Sequence, residues 1–334
     1  MSIVTTLLLF AFGVTLLIKG ADWLVQGASD IAQRFGISDL AIGLTVVSFG
    51  TSMPELLVNV IASFNDSADI AIGNILGSNI SNTLLILGTT AIIAPLTIQK
   101  STVLKEIPFC LLASCALYVM ANDAMINGYA FSELSRGDGI VFLGFFLIFL
   151  YYTFGMGTTV NKDEEHTKPS MSVLRAWMMV LVGLIGLSLG GSIAVDTAQT
   201  MAISLGISEA LVGLTAVAIG TSLPELTASV MAALKGRSDI AIGNIVGSNI
   251  FNIFWILGLS ATIKPLAFQP AQNLDLLVVV LSALLLFFMV QNGHVHHRVL
   301  MWWRKQENFV LKRWEGATLL CSYVAYIIYI GLRG

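Results

Sequence analysis

Two glutamates, Glu55 and Glu225, stand deep inside long apolar runs of this 334-residue chain. An ionised carboxylate at membrane depth costs several kcal/mol unless something pairs or solvates it. No basic residue in either run is placed to neutralise it. Thr51 and Ser52 lie four and three residues before Glu55, a spacing that puts both hydroxyls on its helical face. Thr221 and Ser222 stand in the same relation to Glu225. Pro54 and Pro224 each remove a backbone donor and crowd the turn before them, so the carbonyls of Ser48 and Ala218 are expected to lose their intrahelical partners. A helix broken in lipid survives only where it lines a cavity or packs into protein.

The following run adds oxygen. In GNILGSNISN and GNIVGSNIFN, Gly73 with Gly77 and Gly243 with Gly247 make GxxxG steps that let helix backbones approach. Ser78, Asn79, Ser248 and Asn249 come directly after these steps and are expected to face the broken helix. Asn74, Asn82, Asn244 and Asn252 share the same broad stripe and are read as hydrogen-bonding between helices rather than as ligands. Tight packing is reason enough for the glycines. It offers none for two unpaired carboxyls.

An oxygen-only cluster with two carboxylates suits calcium, which takes six to eight hard oxygen ligands in a tolerant geometry. Magnesium fits less well, because it sheds water reluctantly and wants a near-ideal octahedron. The absence of His and Cys from the motifs argues against zinc and copper. Sodium, another hard cation, is compatible with the same oxygens. Cys110, Cys115 and Cys321 lie in apolar helical stretches without metal-ligand spacing and are read as buried thiols.

The elements that hold these residues follow from composition. The chain is 56% hydrophobic and 11% charged, against about 25% charged for a soluble domain. Its apolar runs approach the ~20 residues needed to span a bilayer. Ten spans are expected, at 3–32, 39–64, 69–95, 103–121, 138–158, 173–204, 209–234, 239–264, 273–291 and 315–332. The first segment lacks the basic flank and cleavage site of a removable signal and is read as a span. From Gly43 to Gly88 against Gly213 to Gly258, 27 of 46 positions are identical without a gap. The chain is therefore duplicated. Five spans per copy, an odd number, make the copies inverted, an architecture of secondary transporters with the site at the repeat interface. The expected organisation is a first repeat at 1–160, a charged cytoplasmic linker at 161–171 and a second repeat at 172–334.

Odd-numbered loops hold 13 of the 17 Lys and Arg residues. By the positive-inside rule both termini face away from the cytoplasm. The net charge of −3 says little about partners; the bilayer is the expected partner, and nucleic acid is not. The loop around 293–315 sets Trp302, Trp303 and Trp314 among basic residues, which suits anchoring at a membrane surface, with His294, His296 and His297 exposed. Asp69 and Asp239 open repeated helices and are read as caps. Asp22 and Asp30 align with Ser192 and Thr200 and receive no role.

The paired GTSMPE with GNILGSN and GTSLPE with GNIVGSN closely resemble the alpha repeats of the calcium/cation antiporter superfamily, most of all its prokaryotic sodium/calcium exchanger branch. The resemblance covers nearly the whole chain, including GADWLVQGASDIAQRFGIS before the first motif. It implies an all-α integral membrane fold of ten helices, with helices 2, 3, 7 and 8 around the ions and helices 1 and 6 sliding across them. The implied ion ligands are Glu55, Thr51, Ser52, the Ser48 carbonyl, Ser78 and Asn79, with Glu225, Thr221, Ser222, the Ala218 carbonyl, Ser248 and Asn249. The implied activity is exchange of Ca2+ for Na+ across the plasma (inner) membrane by alternating access, with no cofactor and no enzymatic step. Protons compete for the carboxyls, so mild acid is expected to inhibit. A calcium/proton antiporter is the first alternative; a passive cation channel is a weaker one, since no carbonyl-ring filter sequence is present.

Overall fold

The computed structural model describes residues 3–156, 171–204, 220–291 and 308–333. Its helices are α1 (Ile3–Phe35), α2 (Asp39–Thr51), α3 (Met53–Phe64), α4 (Ala68–Ile93), α5 (Thr102–Met120) and α6 (Arg136–Met156) in the first half. The second half contributes α7 (Val173–Ser204), α8 (Leu223–Leu234), α9 (Ser238–Ile263), α10 (Asn273–Val290) and α11 (Arg313–Arg333). Among the described residues eight helices are long and apolar enough to cross a membrane, and the bent pair α2–α3 makes a ninth. The chain is thus a multi-pass, almost wholly helical membrane protein. Much of the first part of the expected span 209–234, the 161–170 segment of the linker, and the histidines and Trp302 and Trp303 of the basic loop lie outside the described residues.

The expected span 39–64 is two helices, meeting at Ser52 with a bend of 50°. Proline explains the break: Pro54 is the second residue of α3 and has no N–H to give back to the turn before it. Pro224 holds the same place in α8. Both α3 and α8 carry a glutamate in the first turn, where the helix dipole favours negative charge.

α4 and α9 form the centre of the molecule. Of their spanning windows 72% and 94% are buried, against 22% to 39% for the other six long helices. Their Asn- and Ser-rich stripes are tolerable in a membrane because most of each helix packs against protein. Each helix loosens into a π-helical segment after its GSN triplet, Ser81–Ile86 in α4 and Phe251–Leu257 in α9. Such wide turns shift the face on which later residues lie.

Glycine governs the closest helix crossings. α1 and α7 run antiparallel along a seam in which Gly13, Gly20 and Gly27 recur every seven residues. A Cβ at Gly20 would stand 2.7 Å from the Leu187 backbone nitrogen, and one at Gly27 2.6 Å from the Ala176 carbonyl. The start of α7 is also fastened to the end of α1, where Asp30 Oδ1 accepts from the Met171 N–H at 3.2 Å and Arg34 donates to the Met171 carbonyl. Gly243 and Gly247 of α9 meet the α2 backbone near Leu40 and Leu44, as the GxxxG spacing suggests. No described atom comes within 4 Å of a Cβ built on Gly73 or Gly77.

The last helix of each half packs on the central helix of the other half. Gly316 of α11 lies against Gly88 of α4, and Gly139 of α6 against Gly258 of α9. Two short antiparallel ribbons repeat the exchange. β1 (Leu96–Gln99) pairs with β4 (Asn308–Leu311), Leu96 opposite Leu311, and β2 (Ser132–Leu134) pairs with β3 (Leu266–Phe268), Ser132 opposite Phe268. No strand is foreseen in the sequence, because three- and four-residue segments beside long apolar helices carry no readable alternation.

Candidate functional site

The starts of α3 and α8 bring Glu55 and Glu225 together at the centre. Both are 0% exposed, neither meets a basic side chain among the described residues, and they lie close enough to repel each other. Ser78 donates to Glu55 Oε1 at 3.4 Å. Ser52 donates to Glu225 Oε1 at 3.2 Å and sits 3.0 Å from Ser248 Oγ. The Thr221 hydroxyl is within reach of Glu55, and that of Thr51 within reach of Glu225. Glu55 is thereby touched by hydroxyls of both halves, and Glu225 by two hydroxyls of the opposite half. Glu55 Oε2, Glu225 Oε2 and Ser222 Oγ are buried without a partner. Unmatched buried oxygens of this kind cost energy in a protein interior, and a hard cation satisfies them.

The asparagines divide differently from their sequence reading. Asn74 and Asn244 do hydrogen-bond between helices: each donates to the backbone carbonyl of a glutamate, Glu55 and Glu225 respectively, at 3.4 Å. Asn244 also accepts from Thr51 at 3.0 Å and donates to Ser229 at 2.9 Å, tying α2, α8 and α9 together. Replacing it with leucine, which is close in size, orphans those buried partners at a cost of about 1–3 kcal/mol each. Asn244→Leu is therefore expected to lower the melting temperature of the purified protein. An unchanged melting curve would show that this bridge contributes nothing.

Asn249 is directed away from the glutamates, donating to Thr83 Oγ1 at 2.8 Å and contacting the Cys110 thiol. Asn79 donates to the Asn249 carbonyl at 3.4 Å. Asn252 instead donates to Ser78 Oγ at 3.1 Å and to Asn79 Oδ1 at 2.9 Å, and both polar atoms of Asn82 are buried without a partner. The signal was present in the spacing: Asn82 and Asn252 follow Ser78 and Ser248 by four residues, on the same face, whereas Asn79 and Asn249 follow by one.

The expectation of a freed carbonyl at Ser48 fails. That oxygen accepts from the Ser52 N–H at 3.0 Å and from Thr51 Oγ1 at 3.3 Å. The proline's missing donor deprives the carbonyl four residues before it, at Gly50, rather than the one at Ser48. Ala218 lies outside the described residues. Cys110 is buried, as read, while Cys115 and Cys321 lie on exposed outer surfaces of their helices. Asp69 and Asp239 do open α4 and α9, and each also accepts from a glutamine, Gln272 after β3 at 3.4 Å and Gln99 at the end of β1 at 2.7 Å.

A model of the family described as "Sodium/calcium exchanger protein" matches residues 5–155 and 175–332. Inner membrane protein YrbG of Escherichia coli (strain K12) is 39% identical over 290 residues, covering 83% of this chain and 87% of that protein. Sodium/calcium exchanger MaX1 of Methanosarcina acetivorans is 30% identical over 359 residues, covering 98% of each. The solved structure of the sodium-calcium exchanger NCX_Mj, soaked with zero Na+ and Ca2+, superposes with a TM-score of 0.81 at 32% identity, over 98% of this chain and 100% of that one. The matches take in both glutamate motifs and all the long helices, so the architecture, the buried oxygen cluster and the sequence agree: the chain belongs to the sodium/calcium exchanger family of the calcium/cation antiporter superfamily, a family of transporters rather than enzymes.

Proposed function

We propose that this protein exchanges Ca2+ for Na+ across the plasma membrane, the inner membrane of its cell, by alternating access. The observation that carries the reading is the buried pair Glu55 and Glu225, unneutralised by any basic side chain among the described residues and surrounded by hydroxyls with unmatched oxygens. Two carboxylates match the charge of one calcium ion, and sodium ions compete for the same oxygens. The ion ligands are Glu55, Thr51, Ser52, Ser78 and Asn82 from the first half, with Glu225, Thr221, Ser222, Ser248 and Asn252 from the second. The YrbG name supports the inner-membrane location, and the names of MaX1 and NCX_Mj support the ion pair.

Ten spans in two inverted five-helix repeats, 1–160 and 172–334 joined by a linker at 161–171, supply the two-state machinery. The antiparallel α1–α7 pair supports this inversion, as does the reciprocal exchange of β1 with β4 and β2 with β3. Both termini face away from the cytoplasm. The protein reconstituted in sodium-loaded liposomes is expected to accumulate labelled calcium when diluted into sodium-free medium, and to stop when the sodium gradient is removed. Calcium uptake driven by a pH gradient alone would replace sodium with protons as the coupling ion. Uptake without any counter-gradient would make the protein a channel.

A further inference from the structure

The α1–α7 pair is held to the rest of the molecule unequally. α1 packs along α8, and Lys235 at the end of α8 forms an ion pair with Asp22 while donating to the Asp22 carbonyl at 3.2 Å. Gln26, one turn further on, donates to the same carboxylate at 3.0 Å. The repeat-related contact would join α7 to the end of α3, and there the two helices barely touch. The chemistry is unequal too. By the 170-residue offset of the duplication, Asp22 and Lys235 correspond to Ser192 and Asn65, which form no ion pair. A neighbouring pair, Arg237 with Asp39 at 3.1 Å, links the α8–α9 turn to α2. Both of its ends belong to helices that cross beside the ion site, so it stays with the site, whereas the Asp22–Lys235 pair spans the boundary between the site helices and α1.

We propose that Asp22 and Lys235 form a one-sided ionic latch that favours the access state in which α1 lies against α8. The inference rests on the alternating-access reading above. When the halves exchange roles, α7 closes on α3 and α1 leaves α8; an ion pair is lost on one side and none is gained on the other. With Lys235 on the cytoplasmic side, as proposed, the latch favours the state closed to the cytoplasm. Both side chains are 27% accessible, so solvent screens the pair, and the bias it supplies is about three-fold in the ratio of the two states.

Hydrogen exchange on the full chain in lipid nanodiscs reads both helix ends, the last turns of α3 and of α8. In the wild type, replacing Na+ with Ca2+ is expected to move protection at the two ends in opposite directions. Asp22→Asn and Lys235→Gln are each expected to raise exchange at the α8 end and lower it at the α3 end by about three-fold. The charge-swapped double variant, Asp22→Lys with Lys235→Asp, is expected to restore the wild-type pattern. A reciprocal wild-type response that both single variants leave unmoved, or that the swap fails to restore, overturns the latch alone. A wild type whose two ends do not respond reciprocally to the ions overturns the alternating-access reading, and the latch with it.

Discussion

Glu55→Gln and Glu225→Gln are each expected to abolish calcium exchange while leaving the protein folded. At an effective dielectric of ~20, one carboxylate about 4 Å from a unit charge contributes about 4 kcal/mol. Losing half the charge of the pair therefore lowers calcium affinity by at least about 100-fold. Stability follows the opposite sign. With no ion present the two buried glutamates repel each other, so neutralising one removes an unfavourable interaction. Two measurements check this. Labelled calcium flux in liposomes is expected to fall to background, and melting in ion-free detergent to stay level or rise. Calcium is expected to raise the melting temperature of wild type and to leave that of either variant unchanged. Sodium-driven flux at the wild-type rate from either variant would remove these residues from the site.

Gly20→Val is expected to have the largest structural effect. Its Cβ would face three backbone atoms of α7, the Leu187 nitrogen at 2.7 Å, the Gly183 carbonyl oxygen at 2.8 Å and the Gly186 carbonyl carbon at 2.9 Å. None of these atoms belongs to a side chain that could rotate away, so the helices must separate. Overpacking of this kind costs about 1–3 kcal/mol, and the loss spreads along a seam that depends on close contact at Gly13 and Gly27 as well. The melting temperature of Gly20→Val is expected to drop by several degrees. Gly144→Ala, where no described atom lies within 4 Å, is the matched control and is expected to melt like wild type. Equal melting of both variants would show that the seam is looser than its geometry.

What was legible in the sequence was what repeats or what lipid forbids. The GTSxPE and GNIxGSN segments recur without a gap, and two acids unpaired within apolar runs point to one candidate site. The expected start of span 173–204 coincides with the helix start at Val173. What was not legible depends on register or on distance along the chain. The π-helical segments after each GSN are one such feature, since no local residue preference announces a wide turn. The Ser48 carbonyl keeps its helical partner because Pro54 withdraws a donor from Gly50 instead. Asp22 looked purposeless because its partner is 213 residues away. The four short strands escaped notice because each finds its partner in the opposite half.

Those crossed ribbons bear on how such a chain is made and how it arose. A nascent protein that has emerged only as far as α10 leaves β1 without its neighbour and the Gly88 groove of α4 uncovered. Maturation of the first half therefore waits for the C-terminal helix, and truncation before Asn308 injures the part of the protein made earliest. Two separate copies of the duplicated unit could have clasped in the same manner, each capping its twin. Gene fusion then needed only to tether a handshake that already existed.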